Sequence, residues 1–549
     1  MDSTEKAIEI GGTGESSETV TVKVIYESDG EYYLLVDGKY YAITPSDTNG
    51  LEVANEPSDI GPIDDDDRNE SITVSATGDN IVNATVSGKT ITIEGKNSGT
   101  SVITVKVNDV EYTNNKITVA VKKLSELIGI NVETSDASPL VIDGASLITA
   151  TISDESSNQK IATSSDVKWS VKNAEDSNKV SVTSNGIVKC GTATGKATIV
   201  CTGANNTTKE AVVESKAKIV YTNSGNANST VTGKTGSEAD FSYNNPVIPV
   251  GFSAIDTVAA KWNLSEDKKT ASPEYNKGLV IMDNNGNQFV WVPVDGTTIT
   301  YEKWDGTKNY RTVSQCEDDT LSDGTTISSI DTQANYGGFW IGRYEAGLDV
   351  DMDSNAQTNA DSSYRSVDTA KSIPIIVEGA IPWNRITYTN SQKNAEKMYP
   401  ATNQNVRSGL VNGTQWDTAI KFIQLLGGKN DDANSQGVKS DSTKWGNYSD
   451  AELNLDNYKM YSTDYGASWI SQNVTKKTKN DSQLLRTGAS KTTEVLNISD
   501  MAGNVWEWTN EKLKDSSGFI YMGGSYYYSG IPATYRNSIS DTASIDVRF

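Results

Sequence analysis

The residues able to do acid–base, nucleophilic or metal chemistry are few, and their types already restrict the protein. The 549-residue sequence contains no histidine. This excludes every Ser-His-Asp or Cys-His nucleophile, every His-ligated zinc or iron, and the usual near-neutral general base. Chemistry by carboxylates, Lys, Tyr or Cys remains open. Cys190, Cys201 and Cys316 are too few and too scattered for a metal knuckle or a disulfide framework, and no Cys-x-x-Cys pair occurs. A disulfide between Cys190 and Cys201 and two packed thiols are both open readings. Asp64, Asp65, Asp66 and Asp67 read as a solvated linker rather than a calcium site. Asp349, Asp351 and Asp353 alternate like a calcium loop, but the Gly at its sixth position and the Glu at its twelfth are missing, so no EF-hand is expected.

One run is rich in contact chemistry. Tyr526, Tyr527 and Tyr528 stand in tandem, followed by Ser529, Ile531, Ala533, Tyr535, Asn537, Ser538, Ser540 and Thr542. Successive side chains of a strand point to opposite faces, so three tandem tyrosines cannot all be core. Tyr gives large contact area at low entropy cost, with Ser and Asn as adaptable hydrogen-bonders. These eleven positions are the expected ligand-binding surface. The competing reading is an aromatic strand packed on Trp506 and Trp508.

Charge narrows the partners. With 48 Lys+Arg against 72 Asp+Glu the net charge is −24. Such a chain is repelled by phosphate backbones and anionic lipid, so no nucleic acid is expected as a partner. No apolar run approaches the ~18 residues of a membrane helix, so no membrane insertion is expected. The opening MDSTEKAIEI has neither the basic nor the apolar region of a secretory signal. Either the chain is a virion-type protein made in the cytoplasm or a leader has been removed.

The elements that must position these residues follow from pattern. A chain of this length exceeds one compact domain, and 44 Gly with 36% hydrophobic residues suits loop-rich β-modules. Residues 20–44 read as a β-meander with Asp29-Gly30 and Asp37-Gly38 turns. Short strands at regular spacing then fill 63–123 and 124–222, where SGTSVITVKV and TGKATIVCTG echo each other. Both segments resemble bacterial immunoglobulin-like domains. Residues 1–62 read as a small β attachment module with its acidic linker, and 223–250 as a flexible linker. From 251 to 549 Trp becomes common and two helices are expected, NSQKNAEKMY and GTQWDTAIKFIQLL. In the second, Trp416, Ile420, Ile423 and Leu426 recur at helical spacing and Gly427-Gly428 stops it.

The strings GFWIGRYEAG, TQWDTAIKF, SDMAGNVWEW, GGSYYY, YRNS and DVRF occur in this order. Residues 275–549 thereby resemble the formylglycine-generating-enzyme-like, or sulfatase-modifying-factor, family, which has a C-type lectin fold. The fold class implied is multidomain: all-β Ig-like sandwiches followed by an α+β C-type-lectin-like domain. The family's enzyme oxidises a cysteine with copper held by two cysteines after its GGS segment. Here Tyr528 and Ala533 stand roughly at those places, and copper(I) prefers soft thiolates, so neither copper nor oxidase activity is expected. The family also holds calcium at its AGNVWEW segment. By resemblance that site maps onto the carboxylates of Asp500 and Glu507 and the carbonyls of Gly503 and Val505, an oxygen set suited to Ca²⁺.

Variable proteins of diversity-generating retroelements use this same domain, with hypervariable positions between a GGS-type segment and the terminal motif, and the residues of 526–546 resemble that set. The function expected is a non-enzymatic receptor-binding or adhesion protein, of a phage virion or a cell surface, with a diversified tip on Ig-like spacers. Its partner would be a host cell-surface protein or glycan, with homo-oligomerisation open. A virion-decoration or appendage protein is the second reading and a degenerate oxidase the third.

Overall fold

Strand periodicity organises most of the described residues, and the two α-helices among them lie in the C-terminal domain. The computed structural model describes residues 71–224 and 243–548, interrupted at 79, 97–98, 108–109, 123–124, 154–158, 265–273, 325–335, 353–364, 401, 403–405, 432–436, 457, 459, 467, 472–474 and 543–546. Before residue 71 it describes the backbone of 7–11, 19–26, 32–36, 39–46 and 50–53 alone, and in parts of a few later strands likewise the backbone alone. The acidic run 64–67 and both Asp-Gly turns of the meander lie outside the described residues. The chain forms two units. One comprises Met1–Ile128, Ile152–Gln159 and Thr202–Thr208, and the other Gly129–Thr151, Lys160–Cys201 and Lys209–Phe549.

Among the described residues ten strands lie wholly within the first unit: β1 (Ala7–Gly11), β2 (Thr19–Tyr26), β3 (Tyr32–Val36), β4 (Lys39–Ser46), β5 (Gly50–Val53), β6 (Ile72–Ala76), β7 (Val82–Ser87), β8 (Thr90–Gly95), β9 (Gly99–Val107) and β10 (Val110–Lys122). They build two sheets, ordered β1-β10-β9-β6 and β5-β4-β3-β2-β8-β7. Ile91 and Ile93 of one sheet and Ile103, Val105, Val119 and Val121 of the other are buried, the period-two alternation of a sandwich. A boundary at 62/63 does not separate two modules here. β1 pairs in parallel with β10, Ala7 opposite Thr118, and β2 pairs with β8, so strands from both sides of that boundary share both sheets. The meander completes a sheet it could not stabilise alone.

The second unit begins with an Ig-like sandwich of β11 (Leu140–Ile142), β12 (Ala145–Leu147), β13 (Val167–Val171), β14 (Val180–Val182), β15 (Ile187–Cys190), β16 (Gly195–Gly203) and β17 (Thr208–Ser215), in sheets β11-β17-β16-β13 and β12-β15-β14. Cys190 and Cys201 lie in different sheets, buried and unbonded, and burial pushes both thiols up to about 12.

A five-stranded antiparallel sheet follows, from β18 (Lys218–Thr222), β19 (Phe252–Asp256), β20 (Val280–Asp283), β21 (Gln288–Pro293) and, after β22 (Cys316–Asp318), β23 (Gly338–Gly342). The strand 218–222, read as the end of the second Ig-like module, is thus the edge of the next domain's sheet, with Lys218 opposite Asp256. Of the expected linker, 225–242 lies outside the described residues. Asn223 and 243–250 are held: Asn223 Nδ2 donates to Ile248 O at 3.0 Å and Trp291 Nε1 to Tyr243 O at 2.8 Å.

Helix α1 (Tyr388–Met398) starts at a Thr387 cap, and α2 (Gly413–Leu426) at an Asn412–Gln415 capping box. Trp416, Ile420 and Ile423 are fully buried, whereas Leu426 at the helix end is exposed. Gly428, in the left-handed region at φ 71°, ends the turn. The last sheet runs β22-β24-β25-β26, with β24 (Trp506–Leu513), β25 (Phe519–Met522) and β26 (Arg536–Ile539). The short β27 (Val547–Arg548) lies parallel to β24.

The Ig-like sandwich and the C-terminal domain of this unit are joined by a buried polar seam. Arg343, fully buried, donates to Asp143 Oδ2 at 2.8 Å and to Gln288 Oε1 at 2.9 Å. Gln288 Nε2 reaches Ala145 O at 2.9 Å, and Ser146 Oγ donates to Glu378 Oε2 at 2.7 Å. Two of the alternating aspartates belong to this seam too, and the third, Asp353, lies outside the described residues. Asp349 accepts from Asn185 Nδ2 at 2.8 Å and Asp351 from the Ser164 amide at 2.7 Å, so their spacing serves domain docking.

Candidate functional site

Three left-handed residues, Asp500, Gly503 and Asn504, turn the chain sharply into β24. At Gly503 a Cβ would lie 2.4 Å from Asn447 O, so only glycine fits. Its amide donates to Gly523 O at 2.9 Å, which fixes the start of the tyrosine segment. Asn504 then gathers the surroundings. Its side chain donates to Glu345 Oε2 at 2.7 Å and accepts from Asn447 Nδ2 at 2.9 Å, while its carbonyl accepts from the Tyr526 amide at 2.9 Å.

That last bond decides the fate of the tandem tyrosines. Tyr526 is pulled inward to pack with Leu484 and Val505 at 1% exposure. Tyr527 and Tyr528 turn outward, 58% and 44% exposed, their rings 6.0 Å apart and edge-to-face. Tyr528 rests on Trp506 with centroids 5.7 Å apart, and Tyr535, half-buried, rests on the same ring at 5.5 Å.

Two of the eleven expected contact positions are corrected by burial. Tyr526 is core, and so is Ala533, fully buried between Ser442 and Trp416, with which its backbone bonds at 2.9 and 3.3 Å. Ile531, Asn537 and Ser538 are half-buried, and Ser529, Ser540 and Thr542 exposed. A contributor that the sequence reading missed lies two hundred residues upstream. Tyr310 is 63% exposed, and its amide and that of Arg311 donate to Arg536 O at 3.1 and 3.0 Å. Arg311 Nε reaches Ser538 Oγ at 2.8 Å, and Lys308 Nζ reaches Gly530 O at 3.0 Å. Tyr310 alone in a polar loop carries no local signal.

Below this face Arg536 is fully buried, 2.8 Å from Asp417 and 3.2 Å from Glu511. It anchors β26 to α2 and β24. Burial pushes the Asp417 carboxyl up to about 7 against the pull of Arg536.

The donor set at the family's copper position does not fit that metal. Tyr528 is a surface phenol and Ala533 has no donor. Cys316 is buried, donates to Thr312 O at 3.4 Å, and has its thiol pushed up to about 11 by burial. The residues of the expected calcium position are compatible with a hard cation. Burial raises Asp500 to about 6 and Glu507 well above the carboxylate range, and the Asp500 charge raises Glu507 further. A divalent cation relieves two carboxylates crowded in this way. Asp500 also has a structural task, accepting from the Gly488 amide and from Thr493 Oγ1, both at 2.7 Å. Among the described residues no group of three or more His, Cys, Asp or Glu side chains is assembled.

No curated protein is similar to the chain in sequence. Among solved structures, domains 4 and 5 of the S-layer protein SbsC are similar over 35% of this chain and 94% of that one, at 16% identity and TM-score 0.14. Invasin, described as a bacterial integrin-binding protein, is similar over 49% of this chain and 56% of that one, at 14% identity and TM-score 0.18. The C-terminal 282-residue fragment of intimin, solved with the intimin-binding domain of its translocated receptor, is similar over 50% and 94%, at 13% identity and TM-score 0.16. At such scores these likenesses carry nothing over to this chain. One family model matches, over residues 409–547, the Sulfatase-modifying factor enzyme 1-like domain, and the C-terminal part of the chain carries a domain of that family.

Proposed function

We propose that this chain is a non-enzymatic binding protein of a virion or cell surface, whose C-terminal domain presents a tyrosine face to a host cell-surface protein or glycan. The observation that carries the reading is the joint exposure of Tyr310, Tyr527 and Tyr528 on segments whose neighbours are locked into the core. Amphipathic rings on a rigid support stack on sugars or fill protein pockets at small entropy cost. The lack of histidine, and of any second cysteine beside Cys316 in this domain, supports a role without catalysis. Calcium, held by the Asp500 and Glu507 carboxylates and the Gly503 and Val505 carbonyls, would neutralise buried charge at the turn into β24. Tyr527, Tyr528, Ser529, Ile531, Tyr535, Asn537, Ser538, Ser540 and Thr542 are the positions a diversifying retroelement would vary.

The test uses labelled full-length protein on intact cells from its source community and on immobilised glycans. Tyr527→Ala/Tyr528→Ala is expected to weaken binding at least about tenfold, some 1.4 kcal/mol, with unfolding unchanged. Undiminished binding by the folded variant overturns the reading. Sequencing the codons for 524–546 across that community tests the diversification separately, since a uniform sequence would remove it.

A further inference from the structure

The tyrosine face has a charged rim whose sign is opposite to the net charge of −24. Lys308, exposed, and Arg311, half-buried, stand on either side of Tyr310. Lys308 Nζ donates to Gly530 O at 3.0 Å, two residues beyond Tyr528. The Arg311 guanidinium lies over the Tyr310 ring, 4.8 Å from its centroid, with Nε donating to Ser538 Oγ at 2.8 Å. Both cations are thereby held beside the exposed rings.

Neither is neutralised. Lys421 and Lys512, also in this domain, lie 2.9 Å from Glu302 and 2.9 Å from Asp319 respectively. Among the described residues Lys308 and Arg311 form no ion pair, so the terminal nitrogens of Arg311 keep their donors free. The carboxylates nearest in sequence to these contacts serve other groups. Asp305 accepts from the Val313 amide at 2.8 Å and lies 3.9 Å from Arg536. Asp450 accepts from Thr443 Oγ1 at 3.4 Å, and Asp541 from Thr389 Oγ1 at 2.6 Å.

Taking that face as the binding surface, on which this step rests, we infer that its ligand is a carboxylated sugar, a uronic or sialic acid residue of a surface glycan. Tyr527 and Tyr528 stack on the apolar face of the sugar ring, the terminal nitrogens of Arg311 take the carboxylate as a fork, and Lys308 completes the neutralisation. A neutral sugar covers two cations without pairing them, at the cost of their hydration. A densely charged polymer is held off by the net charge, whereas one carboxylate at contact distance is decided by its own partners. The match is therefore to a glycan with isolated carboxylates.

The test places labelled full-length protein on immobilised glycans ending in glucuronic or N-acetylneuraminic acid, each beside its methyl ester, and on intact cells of the source community. One of the acids is expected to bind at least about tenfold more tightly than its ester. Arg311→Gln should bring acid and ester to equal affinity. Lys308→Gln, at an exposed position, serves if Arg311→Gln does not fold, and should narrow the gap at least about threefold. Equal binding of acid and ester, no binding of either acid, or an unchanged preference in the folded variants overturns the inference. On cells the two readings separate. Binding lost in Tyr527→Ala/Tyr528→Ala but kept in Arg311→Gln/Lys308→Gln removes the acidic sugar alone. Binding kept in the tyrosine variant removes the face, and the inference with it.

Discussion

Arg536 and Asp417 are 2.8 Å apart with both side chains fully excluded from solvent, and this pair secures the strand beneath the exposed tyrosines. The Asp417 oxygen also accepts from the Trp304 amide at 3.0 Å, so helix α2, strand β26 and the 304–311 loop meet at one carboxylate. A binding face built from distant segments depends on such a joint, because neither loop could hold its rings in place alone.

The joint titrates. Burial places the Asp417 carboxyl near 7, above its unfolded value of about 3.9. A carboxyl raised on folding favours the native state when protonated. Its contribution is complete below about pH 4 and is lost as pH rises through about 7. Asp417→Asn carries no proton to lose, so its stability should fall less than the parent's between pH 4.5 and 8. Urea unfolding at three pH values measures this, and parallel profiles for the two proteins would refute it.

The seam at Arg343 predicts that the second Ig-like sandwich and the C-terminal domain unfold together. Burial pushes the Asp143 carboxyl up, but Arg343, Lys491 and the Val258 amide together more than offset it and hold it below the usual carboxylate range. Removing one partner of a buried pair leaves an uncompensated charge and costs about 3–5 kcal/mol. Asp143→Ala should therefore lower the unfolding temperature of the C-terminal domain as well as that of its own sandwich. Hydrogen exchange resolves the two regions. Loss of protection confined to the sandwich would show that they are separate.

Local pattern makes the helices readable, because helical spacing and a terminal Gly-Gly act within a few positions, whereas the AGNVWEW segment is legible only through its resemblance to a family. What escaped was set at long range. Which of three tandem tyrosines turns inward depends on the Asn504 carbonyl, and the Tyr310 loop joins their segment through Arg536, Ser538 and Gly530, more than two hundred positions away. Asp349 and Asp351 have the spacing of cation ligands, yet their partners are Asn185 and the Ser164 amide of another module. The 62/63 boundary misled because parallel pairing of β1 with β10 joins residues more than a hundred positions apart.

The crowding of Asp500 and Glu507 gives the last prediction. Two carboxylates that burial drives upward destabilise the chain when both are ionised, and a bound divalent cation removes that cost. A ligand that binds only the folded state stabilises by about 2.7 kcal/mol at a hundredfold excess over Kd. Millimolar Ca²⁺ should therefore raise the unfolding temperature of the C-terminal domain by several degrees, reversibly with EDTA. Mg²⁺ should do much less, since it demands a tighter octahedron than a turn with two carbonyls provides. Glu507→Gln should remove the calcium response while folding normally, because its neutral amide also relieves the crowding. Equal unfolding temperatures in Ca²⁺ and EDTA would leave Asp500 as a turn-holding residue alone, bonded to Gly488 and Thr493.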